Sequence, residues 1–271
     1  MYLSITLLKM KFKSIIIFIF IVCCSFVFQT SDKPVSIAFP EKNCTVKIDG
    51  FGNIYVINAM QIIKYNPLGV LQKSFSVKRY GKIDFLDVSN PLKLLLYYKD
   101  FQQVLFLDDQ LTATSNMISL ENIGYEQTSL ICNSSNNSFW LYDKQNNSLV
   151  RFNSESKTLV KTGNLKRILD IDMNPNFMIE HNGYLYLNCP KEGIMLFDIY
   201  GTFYKTLPIK DLKEFNVVNE NVFYFKDKAL NEYKASTFNT IQKQYSDTLI
   251  KNVYWQNDKF YKVYADSLVA N

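Results

Sequence analysis

The chain has 271 residues, 15% of them aromatic, with 9 glycines and 7 prolines; this excludes a disordered or collagen-like chain and leaves room for one β-rich domain plus a targeting segment. The formal charge of +5 comes from 30 basic and 25 acidic residues, but residues 1–29 carry three lysines and no acid, so the remainder stands at 27 against 25, or +2. A nearly neutral domain gives no electrostatic reason to expect nucleic acid as a partner.

At the start of the chain Lys9, Lys11 and Lys13 precede an uncharged apolar run from Ile15 to Phe28, interrupted by Ser25. A basic stretch followed by an apolar run of this length reads as a secretory signal, since a spanning helix uses roughly 20 apolar residues. The expectation is a signal over residues 1–29, with Met10 as an alternative start, and an exported domain, periplasmic or secreted. An uncleaved anchor or a lipoprotein is the alternative; only then would the chain meet a membrane, through this segment. Cys23 and Cys24 lie toward the end of the run, but neither follows the small residue that favours lipid attachment.

Val35 to Phe39 reads as a lone strand. After it, Asp49 to Phe75 contains a Gly-rich turn, a strand from Asn53 to Asn58, a second from Gln61 to Asn66, a Pro67-Leu68-Gly69 turn and a third strand beginning at Val70. The rest of the chain repeats this unit. Tyr55 in the first of these strands is succeeded by Leu96, Trp140, Tyr186, Tyr224 and Tyr261; Tyr65 in the next is succeeded by Phe106, Phe152, Phe197 and Tyr233. Both ladders step by 36 to 46 residues, a period that belongs to blades or arrays.

The turns repeat too. Asn, Asp and Gly, which tolerate the positive φ of tight hairpins, recur ahead of each first marker at Gly50–Asn53, Asn90-Pro91, Asn136-Asn137, Asn182-Gly183, Asn219–Asn221 and Asn257-Asp258. Four strands per unit at this period predict an all-β, six-bladed β-propeller over residues 30–271. The last unit, Asn252 to Asn271, is too short for four strands, so the lone strand 35–39 is expected to complete it and close the ring.

The first unit resembles an NHL-type repeat, carried by Asp49, Gly52-Asn53, Ile54-Tyr55-Val56, Ile62 to Tyr65 and Gly69; Gly183, Leu185 to Leu187, Ile194 to Asp198 and Gly201 give a second, weaker match. The resemblance implies a propeller of the TolB-like or NHL-like type and carries over no catalytic residue.

Chemistry-bearing residues are sparse. The single histidine, His181, sits beside a turn, and no Gly-x-Ser-x-Gly nucleophile motif occurs. Asp170 with Asp172, and Asp84 with Asp87, are the carboxylate pairs to weigh as cation ligands, the first pair sharing a face if it lies on a strand. Cys44, Cys132 and Cys189 have no metal-ligand spacing; buried thiols are expected, with one disulfide as the alternative. No catalytic residue, metal or cofactor is therefore expected. In a propeller, the loops between blades share a face with those joining second and third strands; the opposite turns offer mainly acidic residues, Asp49 and Glu220 among them, whereas the shared face collects ten lysines and two arginines against seven acids. Its densest clusters, Lys78-Arg79-Tyr80 and Lys166-Arg167, are the expected contacts for a partner, either another envelope protein or an acidic glycan. The function expected is that of a non-enzymatic interaction or assembly module of the bacterial envelope; a small-molecule, metal-binding or hydrolytic propeller with a site in its tunnel is the alternative.

Overall fold

A computed structural model describes residues 34–271, so the expected signal at 1–29 lies outside the described residues. Six four-stranded antiparallel sheets follow one another along the chain as the blades of a propeller. They cover residues 45–76, 85–119, 128–161, 177–207, 216–244 and 252–270. In the first five, chain order is also spatial order, from inner strand to outer strand. The sixth holds Asn252–Gln256, Lys259–Val263 and Ser267–Ala270, and its outermost strand is Val35–Ala38. Val35 pairs with Ala270 and Ala38 with Ser267, so the beginning and end of the described chain are hydrogen-bonded in one sheet.

Why the blades stack follows from side-chain period. A strand's successive side chains point to opposite faces, and a blade between two neighbours must present apolar groups on both. Leu94 to Tyr98 is accordingly buried throughout: Leu94, Leu96 and Tyr98 join the core toward blade one, whereas Leu95 and Tyr97 join the core toward blade three. In blade three Phe139 and Leu141 face back, and Trp140 and Tyr142 face forward to Leu185 and Phe197 of blade four. Between blades six and one, Ile37, Tyr261 and Leu268 pack with Val46, Ile54 and Val56. Gly69, at φ +76°, is held against this closing strand so closely that a β-carbon would lie 2.7 Å from Val35 Cγ1.

The aromatic ladders fall where the sequence put them, on the second and third strands of the blades, with three exceptions in direction: two in the first ladder, and in the second Phe106, which faces the following blade while Tyr65, Phe152, Phe197 and Tyr233 face the preceding one. Tyr55, Trp140, Tyr186 and Tyr261 all face the following blade. Leu96 and Tyr224 face the preceding one, and the residues that take the forward place are their neighbours Tyr97 and Phe225. A one-residue slip exchanges faces, and in a strand buried on both sides nothing polar marks it.

The turns are equally regular. Paired positive φ values at Asn136-Asn137, Asn182-Gly183, Asn219-Glu220 and Asn257-Asp258 close the inner hairpins of blades three to six. At the outer hairpins of blades one to four, the side chains of Asn66, Asp108, Asn153 and Asp198 each accept from the backbone N–H groups two and four residues ahead. Asp198→Ala should therefore lose two such bonds and cost about 1 kcal/mol, read as a lower urea midpoint at unchanged slope.

Regular helix is minor among the described residues: one short helix, Leu165–Leu169, capped by the Asn164 side chain, and 3-10 turns at Lys78–Tyr80 and Lys99–Phe101. Asp170 ends that helix with left-handed backbone, and Asp172 lies beyond it, exposed and 2.9 Å from Lys166. They share no strand face, because the helix ends where the sequence allowed a strand to begin. Cys44, Cys132 and Cys189 are buried free thiols.

Candidate functional site: a funnel on the loop face

The inner strands surround a funnel that opens on the face carrying the inter-blade loops. Its volume is about 560 Å³, with walls from blades one, two, four, five and six. Below it the channel narrows to a space of about 70 Å³ among Phe85, Phe177, Phe215 and Tyr254. Phe177 makes edge contacts with Phe85 at 6.1 Å and with Phe215 at 5.1 Å between ring centroids, which floors the funnel with aromatic rings. A side recess of about 230 Å³ runs from Asp84 and Phe85 toward Ser129 to Ile131 of blade three.

At the centre is an ion pair that joins distant parts of the chain. Lys47, on the inner strand of blade one, donates to Glu214 Oε2 at 2.7 Å. Its ammonium also stands 5.8 Å from the Phe85 ring centre and 5.5 Å from that of Phe177. Glu214 Oε1 accepts from Tyr254 Oη at 2.6 Å and from Asn252 Nδ2 at 2.9 Å, both on the inner strand of blade six. Glu214 itself belongs to the loop between blades four and five. That loop is pinned by the Leu212 carbonyl, which accepts from Asn176 and from fully buried Asn188, so Glu214 is presented inward.

Burial pushes the Glu214 carboxyl up, but the Lys47 charge and the hydrogen bonds from Lys47, Tyr254 and Asn252 outweigh it and leave the group below its ordinary range. Burial, together with the Glu214 charge, pushes the Tyr254 phenol well up, so it stays a hydrogen-bond donor. The rim carries Asp84, Asp211, Lys213, Lys226 and Lys251. Lys226 donates to the Lys210 carbonyl at 3.1 Å and lies 3.8 Å from Asp211. Asp84 accepts from the Lys99 backbone N–H.

Of the residues expected to meet a partner, both clusters stand on inter-blade loops of this same face, but on different loops, and neither lines the funnel. Lys78 and Arg79 are exposed on the turn between blades one and two. Tyr80 is half-buried and packs on Tyr98 and Phe101, with the Arg79 guanidinium 5.5 Å from its ring, so part of its role is to seat the loop. Lys166 and Arg167 are exposed on the short helix between blades three and four.

The funnel hub itself went unread in the sequence. Lys47 and Glu214 are 167 positions apart, and no local pattern marks them. Their only signal was position: a polar residue at an inner strand, and one in an inter-blade loop. Asp87, the other half of the Asp84 pair, is buried and accepts from the Ser89 and Asn133 backbone N–H groups, tying blade two to blade three. His181 ends the inner strand of blade four at its tight-turn end, half-buried, its Nε2 without a partner; burial pushes its pKa down. Among the described residues, no group of three or more His, Cys, Asp or Glu side chains could hold a metal ion.

No protein-family model matches the chain, and none of the curated proteins does. Solved structures do. A streptogramin B lyase aligns over 88% of this chain and 96% of its own, at 12% identity and a TM-score of 0.57. Virginiamycin B lyase from Staphylococcus aureus aligns over 86% and 82%, at 11% identity and 0.55; a form of it described as catalytically inactive, with a histidine replaced by alanine, was solved with quinupristin. The Pan2 WD40 domain of Neurospora crassa aligns over 87% and 93%, at 8% identity and 0.54. Identities this low establish the propeller fold alone.

Proposed function

We propose that the protein is an exported, non-enzymatic propeller, related in kind to NHL-like and TolB-like repeats, that serves as an interaction module of the bacterial envelope and takes its partner on the loop face. The observation that carries this reading is how the funnel uses its titratable groups. Glu214 has Lys47, Asn252 and Tyr254 on its two oxygens, which leaves it a fixed counter-charge and not a base waiting for a proton. The chain's one histidine is on the opposite end of its strand, whereas the virginiamycin B lyase form lacking one histidine is described as inactive. Convergent polar groups that satisfy one another suit recognition better than bond-breaking.

The exposed clusters Lys78-Arg79 and Lys166-Arg167 flank the funnel on separate loops and offer steering charge to an acidic partner, an envelope protein before a glycan. In-cell crosslinking of the tagged full chain, with mass spectrometry of captured proteins, tests this directly. One dominant envelope protein is expected. Reversing all four charges to glutamate should weaken that capture by roughly tenfold or more at low salt, and less at high salt. Capture unchanged at low salt would remove the basic clusters from the contact.

A second reading has its own observation: about 560 Å³ is within the size of small-molecule pockets, so a free ligand in the funnel is the alternative.

A further inference from the structure

The funnel's polar groups divide into those already used and those still open, and the open ones are mostly of one kind. Glu214 is saturated by three donors. Asn176 is used at both ends, donating to Leu212 and accepting from Asn188. Lys226 is engaged with the Lys210 carbonyl and Asp211. By contrast, the ammonium groups of Lys213 and Lys251 make no hydrogen bond or ion pair among the described residues, although both line the funnel and are exposed. Lys47 spends one N–H on Glu214 and has two more. Against these donors stands one rim carboxylate with no ion pair, Asp84, and one of its oxygens is already taken.

Apart from Thr45, the rest of the lining is apolar. Ile57, Ile83, Leu212 and Phe225 form walls above the Phe85 and Phe177 rings. A cavity of this volume with apolar walls and a few ammonium donors open to a partner selects a ligand with an apolar body and an anionic end. A carboxylate suits it better than a compact polyanion. Asp84, Asp211 and Glu214 share the lining, and each added negative charge on the ligand would be set against them.

We infer that the funnel binds an organic carboxylate whose apolar part lies on the aromatic floor while its charge meets Lys213 and Lys251. This rests on the reading of the loop face as the recognition surface, and it narrows what that face recognises. Two sources share this chemistry: a free carboxylic acid, and the C-terminal residue of a partner protein.

The test is isothermal titration of the full-length chain with three probes: 3-phenylpropionate, the peptide Ala-Ala-Leu-Phe with a free C-terminus, and the same peptide amidated. The free-acid peptide should bind at least tenfold more tightly than the amide, and Lys213→Gln with Lys251→Gln should reduce its affinity by about tenfold. Both side chains are exposed, and an unchanged thermal midpoint would certify that the double variant is folded. A peptide that gains over 3-phenylpropionate identifies a chain terminus as the source; equal binding identifies a free acid. Either supports the inference. Equal affinity for acid and amide, no binding of either acid at millimolar concentration, or full affinity in the folded double variant overturns it. The wider reading is judged separately by in-cell capture: an acid that binds while no protein is captured would retain the carboxylate and discard the protein partner.

Discussion

Ile37→Asp should remove roughly 4 kcal/mol or more from the unfolding free energy of the full chain. Ile37 is 3% exposed and lies in the core that joins the last blade to the first, with Val46, Ile54, Val56 and Leu268. Losing its buried apolar surface accounts for about 2–3 kcal/mol. An aspartate side chain placed there lies in a largely apolar cluster without a cationic partner, and burying its charge adds several more unless the strand leaves the sheet. If Val35–Ala38 does leave, the Ser267–Ala270 edge is uncovered and the hydrogen bonds between the two ends of the described chain go with it. Ser36→Asp is the control: it is the neighbouring position on the same strand, its side chain is exposed, and its effect should stay within about 0.5 kcal/mol. Urea denaturation of both variants reads the difference. Equal midpoints would mean that the first strand is a passenger and that ring closure rests elsewhere.

The contrast between those two adjacent positions also shows what could be read without coordinates. Strand and turn identity was legible because it is local. Asn182-Gly183 and Asn257-Asp258 advertise their hairpins, and the first unit's order of turn, strand, turn, strand recurs with a period the eye can follow. The closing role of the first strand was legible by counting, since the last unit lacks one strand. Facing was less legible. Leu96 and Tyr224 are large apolar residues in the right strand, but a residue on either side is also large and apolar, so nothing local fixes which blade each one meets. Acidic residues misled for a related reason. Asp49 reads as turn-face charge, but it is 1% exposed and accepts from the backbone of Phe51 and Asn53 and from Tyr55 Oη, so it contributes to the blade and not to the surface field. The funnel was hidden most completely. Its members come from Thr45 to Asn252, and what brings Glu214 of one loop against Lys47 and Tyr254 is the closure of the ring as a whole.

That dependence gives the ion pair a testable signature. In the wild type the Glu214 carboxyl is held below its unfolded value, which is near 4.3. The group therefore adds stability that is fully present above that value and is lost as pH falls through the lower folded value. Lys47→Met should reverse the sign. With the lysine gone, burial outweighs the remaining hydrogen bonds from Tyr254 and Asn252, and the carboxyl rises above its unfolded value. Glu214 then lowers stability above pH 4.3, and the penalty fades as acid neutralises it. At pH 7 Lys47→Met should cost about 2–3 kcal/mol, somewhat below the range for fully buried pairs because the Glu214 side chain keeps 30% exposure. Replacing Glu214 by glutamine should destabilise the wild type at pH 7, yet stabilise the Lys47→Met background, where it removes an unpaired charge. Both differences should shrink toward pH 4. A double-mutant cycle by urea denaturation at the two pH values measures this coupling. If the glutamine change costs the same in both backgrounds at pH 7, the two side chains are neighbours without being partners, and Glu214 is held by Tyr254 and Asn252 alone.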